Sequence, residues 1–226
     1  MNLLQIDVAN TTVAEVADKV SLSFWEMALK GGWIMIPILL LSVLSVYIFI
    51  ERFIAIKKAA KQDDSFMNNI KNYITEGKID LALTLCKSNH TPVARMIEKG
   101  IQRLGRPLND VNAAIENVGN LEVSKLEKGL AMLATAAGAA PMIGFLGTVI
   151  GMIQAFFDMA NAGNNIDITL LSNGIYTAMV TTVAGLIVGI LAYLAYNLLT
   201  TRVQKVVYVL EANTMEFMDL LNEPAK

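Results

Sequence analysis

Four threonines stand out within two long uncharged stretches of the 226-residue chain: Thr148 in the run A-P-M-I-G-F-L-G-T-V-I-G-M-I-Q-A-F (140–156), and Thr177, Thr181 and Thr182 in and just before A-M-V-T-T-V-A-G-L (178–186). A hydroxyl does not titrate at working pH, but it donates one hydrogen bond and accepts others, so in a dry apolar setting it can hold water or lower the cost of ionising an acid nearby. Thr148 precedes Asp158 by ten residues, about 15 Å along a helix, and Thr182 follows Gly174 by eight, about 12 Å, which puts the two at similar depth on antiparallel helices. The competing reading of each threonine alone is a hydroxyl returned to its own helix carbonyl. Several at one level favour a polar-lined interior face. Around them Gly147 with Gly151, and Gly185 with Gly189, form small-xxx-small pairs that let helix backbones approach closely, and Pro141 and Gly144 complete the candidate packing and pore-side set.

The same stretches contain no Asp, Glu, Lys, Arg or His. Chains that carry protons by themselves hold an ionisable group at depth. This chain is therefore not a self-sufficient proton carrier by that route, but it could line the path of a carboxylate supplied by a partner helix.

The elements that must position these residues follow from hydropathy. With 54% apolar residues and a mean hydropathy of +0.50, the chain is too apolar for an ordinary soluble domain. Uncharged blocks run over 31–50 (20 residues), 129–157 (29 residues) and 168–201 (34 residues). Each is long enough to cross a hydrocarbon core of about 30 Å at about 1.5 Å per residue. Of 18 Lys and Arg, 13 lie within 52–128 and 3 follow the last block, while 158–174 has none. The positive-inside rule then puts the N-terminus outside and the C-terminus inside.

The expected organisation is an amphipathic periplasmic helix (1–30), a first transmembrane helix (31–52), a cytoplasmic helical domain (53–128), a second transmembrane helix (129–157), a periplasmic loop (158–173), a third transmembrane helix (174–201) and a cytoplasmic C-terminal helix (202–226). In the first of these, Val13, Val16, Val20, Phe24 and Met27 keep helical spacing; Trp25, and Trp33 at the start of the next segment, fit an aromatic belt. No basic cluster opens the chain, so a cleavable leader is not expected. Thr91-Pro92 predicts a capped helix start. Without a turn cluster between Pro107 and Pro141, one helix is expected to run from about Asn109 across the membrane. Past Arg202, Val203, Val207, Leu210, Thr214, Phe217 and Leu221 read as a heptad seam packed on a neighbour, or as a merely amphipathic tail. Cys86, the sole cysteine, reads as a small buried apolar residue, and His90, the sole histidine, as solvated or structural.

The 140–156 and 178–186 runs, Ala195-Tyr196-Asn197 behind them, the Thr91-Pro92-Val93-Ala94 turn and the three-span layout together resemble the ExbB/TolQ/MotA proton-channel family over most of residues 25–205. The resemblance implies an all-α bacterial inner-membrane protein. It implies a pentamer around two transmembrane helices of an ExbD-like single-span partner whose membrane aspartate carries the proton, and a TonB-like protein driven in turn. By motif position, Thr148 and Thr182 correspond to pore-facing threonines. Thr177 stands where many ExbB proteins carry glutamate, so the role of that glutamate is not carried over. Three spans fit ExbB or TolQ better than the four-span MotA branch.

Other classes fit less well. Glycine packing and a helical cytoplasmic domain would suffice for a passive scaffold. A secondary transporter lacks its inverted repeat and ion site. The glycines lie inside an apolar span, outside the strand-turn-helix context of a nucleotide loop, and no His/Cys set has metal spacing. No catalytic residue, cofactor, metal or nucleic-acid partner is expected.

Overall fold

A computed structural model describes residues 31–60, 64–161 and 168–222. The expected N-terminal amphipathic helix lies outside the described residues, as do residues 162–167 of the expected 158–173 loop, whose remaining residues are helical. Every regular element among the described residues is a helix: α1 (Met35–Ala59), α2 (Asp64–Thr75), α3 (Ile79–Ser88), α4 (Pro92–Ile101), α5 (Leu108–Glu127), α6 (Leu130–Asn161) and α7 (Ile168–Asn222). Three helical stretches, led by α1, α6 and α7, are long and apolar enough to cross a membrane. The backbone divides into two compact units, 1–41 with 139–189, and 42–138 with 190–226.

In the first unit the elements that matter are the 139–161 part of α6 and the 168–189 part of α7. Both turn large apolar side chains outward, among them Phe145, Ile153 and Phe157 on α6 and Met179, Val183 and Ile187 on α7. Small residues face inward instead. This is the pattern of helices in lipid, where no hydrophobic drive exists between spans and close packing takes its place.

In the second unit a core is built on α2 to α5. The α2–α3, α3–α4 and α4–α5 neighbours pack in sequence. Its floor is Ile70, Ala82, Cys86, Ile97, Val111 and Ile115, all nearly inaccessible. The Thr91 hydroxyl caps α4 by accepting from the Ala94 amide at 3.3 Å, with Pro92 opening the helix, as the sequence predicts. His90 is exposed at that corner.

Two expectations are corrected here. The single helix expected from Asn109 through the membrane is two, because Lys128 leaves helical geometry (ψ 126°) and Gly129 takes φ +84°. Only glycine enters that left-handed region without a Cβ penalty, so it ends α5 before α6 begins at Leu130. In the tail, the buried positions are Val203, Val206, Leu210, Asn213, Phe217 and Leu220. They share three residues with the expected seam but follow another frame, leaving Val207, Thr214 and Leu221 half-buried. This stripe packs on the same chain: Phe217, fully buried, fills the notch left by Gly100, where a Cβ would come within 2.7 Å of its ring and of Ile115.

Candidate functional site

The site is built by α6 and α7 of the first unit, from a repeat of small residues. On α6, Ala140, Gly144, Gly147, Gly151 and Ala155 are buried at 4-3-4-4 spacing; on α7, Ala178, Thr181, Gly185 and Gly189 are buried at 3-4-4. The residues pair antiparallel. A Cβ at Gly144 would lie 2.8 Å from the Thr181 carbonyl oxygen and 3.2 Å from the Cα atoms of Thr182 and Gly185; one at Gly185 would lie 2.5 Å from the Ala140 oxygen. Gly151 faces Ala178 and Gly174 in the same way, at 3.0 and 3.1 Å. Most of these are approaches to main chain, so glycine is needed for the seam to close at all. The two expected GxxxG pairs are thus part of a longer small-residue repeat, and Ala140, Ala155, Gly174 and Ala178 belong to it as well. Their 3-4 spacing was the available signal.

The threonines decorate this seam. Thr182 donates across it to the Gly144 carbonyl at 3.1 Å. Thr181, 1% exposed, donates to Ala178 of its own helix at 2.8 Å and lies 3.4 Å from the same Gly144 oxygen. Thr148 turns back to its own helix, donating to the Phe145 carbonyl at 2.6 Å, and stays half-exposed. Thr177 is half-buried one turn before Thr181. Gly144, whose carbonyl Thr182 engages, lies one turn from Thr148, about 6 Å along α6, so the two threonines predicted to share a level do so to within a turn. Hydrogen bonding joins Thr181 and Thr182 to α6, but it does not join either to Thr148. Pro141, half-buried one turn before Phe145, cannot donate a backbone hydrogen bond, and α6 carries it within its length.

Outside this seam lies a charged cluster that sequence reading missed. Glu122 on α5 is 4% exposed; it accepts from Arg95 on α4 at 2.5 Å and from Lys125 at 2.6 Å. Burial works against its charged form, yet the hydrogen bonds and charges of Lys125 and Arg95 outweigh that and hold its carboxyl below the ordinary value. Lys125 follows at i+3 and was legible as a pair; Arg95 is 27 residues away and was not. Burial, with a smaller contribution from the Glu98 charge, pushes the Cys86 thiol up to about 12, which fits the inert apolar role expected for it. Among the described residues no group of His, Cys, Asp and Glu has the makings of a metal site.

Fold and site together define a helical protein with three candidate spans, two of them zipped by a glycine seam that carries hydroxyls and no charge. Comparison with known proteins makes the class specific. The profile of the MotA/TolQ/ExbB proton channel family matches residues 88–212, more than half of the chain, and the chain belongs to that family. A putative biopolymer transport protein ExbB-like 1 from Synechocystis is 27% identical over 175 residues, covering 76% of this chain and 69% of the relative. An ExbB homolog from Methanothermobacter thermautotrophicus is 28% identical over 79% of this chain, which spans only 63% of that protein's length. A Tol-Pal system protein TolQ from Haemophilus influenzae is 26% identical over 82% of this chain and 87% of its own. Members of the family are channel and motor subunits, not enzymes.

Proposed function

We propose that this chain is the ring-forming subunit of an inner-membrane motor driven by the proton-motive force, acting in the manner of ExbB. Five copies surround two transmembrane helices of an ExbD-like single-span partner. The N-terminus lies in the periplasm and the C-terminus in the cytoplasm. The partner's membrane aspartate takes up and releases the proton as it passes the α6–α7 face, and the resulting movement is passed to a TonB-like protein to energise outer-membrane transport. The observation that carries this reading is the seam itself: hydroxyls at Thr148, Thr177, Thr181 and Thr182 within spans that hold no ionisable group. Such spans have no means of carrying a proton alone, and hydroxyl oxygens on them offer lone pairs to the neutral form of an acid supplied by a partner. One proton falling through 100 mV releases about 2.3 kcal/mol, which exceeds an interhelical hydrogen bond of about 0.6 kcal/mol, so hydroxyl contacts are rearrangeable at each step.

Replacing Thr148 and Thr182 together by Val tests it. The Thr182 hydroxyl contributes one interhelical bond, so the double variant still assembles; proton-dependent uptake is lost. Undiminished uptake in a correctly assembled double variant refutes the reading.

A TolQ-like role in envelope integrity is the second reading, favoured by the evenness of the match to the Haemophilus TolQ, which spans most of both chains. Co-purification separates the two: an ExbD-like partner with loss of energised outer-membrane uptake on deletion supports the first, and a TolR-like partner with a leaky envelope the second.

A further inference from the structure

We infer that Arg202 and Phe53 form a binding site for the phosphodiester of an anionic phospholipid at the end of the membrane-spanning part of α7. The inference rests on the membrane-spanning reading of α1 and α7, and is independent of proton transfer.

Arg202 is the first charged residue after the uncharged block 168–201, one turn past the outward-facing Leu198. Its guanidinium carbon lies 4.3 Å from the centroid of the Phe53 ring, and Phe53 is in turn tilted against Phe49 with centroids 5.7 Å apart. The side chain is therefore half-buried and held in place on an aromatic face. What it lacks, among the described residues, is an acceptor: none takes a hydrogen bond from it and none is a carboxylate partner. Arg52, the neighbour of Phe53, shows the contrast. Its side chain is only 11% exposed, is paired with Glu51 and donates to the Lys125 carbonyl at 2.9 Å. The same end of the spans is strongly basic, with seven Lys and Arg against two Glu in 51–58, 125–128 and 202–205.

Stacking occupies the faces of a guanidinium and leaves its edge free. That edge carries paired N–H donors in the fork that fits two oxygens of a phosphate. An acceptor available at the point where apolar surface gives way to charge, and able to remain beside the exposed apolar flank of α1, is the headgroup phosphate of a lipid whose chains lie on that flank. The surrounding basic charge selects a lipid with net negative charge over a zwitterionic one.

Native mass spectrometry of the purified full-length assembly, exchanged into defined mixtures of phosphatidylglycerol and phosphatidylcholine, reads the site directly. The wild type retains phosphatidylglycerol in preference, and Arg202→Gln weakens that retention about tenfold, the scale of a lost charge-assisted contact. Arg202→Lys keeps the charge and loses the fork, so it falls between the two. Lys205→Gln removes the same charge from an exposed position nearby and leaves retention near the wild-type level. In lipid-free detergent, inorganic phosphate at millimolar concentration gives no thermal stabilisation that Arg202→Gln abolishes. Equal retention of both lipids by the wild type, or equal losses in Arg202→Gln and Lys205→Gln, overturns the site. A phosphate effect as large as that of phosphatidylglycerol makes it a soluble-anion site and overturns the lipid assignment. Loss of proton-driven activity in the Thr148/Thr182 double variant would leave this outcome untouched.

Discussion

Gly144→Ala tests whether α6 and α7 are held at backbone contact. The new Cβ would stand 2.8 Å from the Thr181 carbonyl oxygen and 3.2 Å from two Cα atoms, all of them main chain, so no side chain can rotate out of the way. Ordinary contact begins at 3.4 Å, and the helices must part by about 0.6 Å at this level to restore it. The Thr182-to-Gly144 hydrogen bond, 3.1 Å long, then stretches to about 3.7 Å, beyond useful geometry. Overpacking of this kind costs about 1–3 kcal/mol, and the lost interhelical bond about 0.6 kcal/mol. A span stays helical in detergent on either side of unfolding, so the better helix propensity of Ala recovers little. The net expectation is a destabilisation of about 2–3 kcal/mol, roughly 30- to 150-fold in the folding equilibrium. Reversible unfolding of the detergent-solubilised protein by a denaturing surfactant, followed by circular dichroism and tryptophan fluorescence, measures it. Gly138→Ala on the same helix is the control, since nothing lies within 4 Å of its added Cβ. If Gly144→Ala unfolds at the wild-type midpoint alongside that control, the seam is not in backbone contact and close packing of α6 on α7 is refuted.

Cys86, 2% exposed with its thiol pushed up to about 12, should resist iodoacetamide at pH 8 in the native protein and react fully once unfolded, as read by intact mass. Glu122→Gln should cost about 1–2 kcal/mol, a figure already reduced because Arg95 and Lys125 are well exposed to solvent. The pH dependence has a definite sign: the Glu122 pKa is lower when folded, so its stabilisation is complete above the unfolded carboxylate value of about 4.3 and is lost as pH falls through the lower folded one. Acid titration of stability should therefore show a step in the wild type that is missing in Glu122→Gln.

What could be read in the sequence is what local chemistry decides. The three apolar blocks, the Thr91-Pro92 helix start and the burial of Cys86 each follow from the residues themselves or their immediate neighbours. What could not be read depends on three-dimensional register. Gly129 sits in a helical pattern between good helix formers, and nothing in its immediate neighbours marks the left-handed conformation it takes. The tail offers two overlapping heptads through Val203, Leu210 and Phe217, and the Gly100 notch on another helix decides between them. Thr181 and Thr182 are adjacent and identical in type, yet one is sealed in the seam with its shorter bond to its own helix, and the other is half-buried and bonds across the seam. Glu122 needed Arg95, and Arg202 needed Phe53; both partners come from distant segments.

The direction of the threonine hydrogen bonds bears on how the proposed motor would handle its proton. Thr148 donates to Phe145, Thr181 to Ala178 and Thr182 to Gly144, so each of these hydroxyl protons is already committed to a backbone carbonyl. Thr181 is sealed in the seam, and what the Thr148 and Thr182 oxygens still offer is their lone pairs. A lone pair suits a protonated carboxylic acid, which donates, and repels a carboxylate, which only accepts. At rest, then, this lining favours the neutral form of an acid beside it, in the same sense as burial does. Ionisation becomes feasible only if a hydroxyl rotates away from its carbonyl or water enters to donate in its place. For Thr182 that rotation breaks the bond to Gly144 at a point where the backbones nearly touch, which ties loss of the proton to a loosening of α6 against α7. On the proposed reading, the glycine packing and the hydroxyls are therefore one device: the close approach that only glycine permits puts a carbonyl within reach of the hydroxyl whose rotation accompanies proton release.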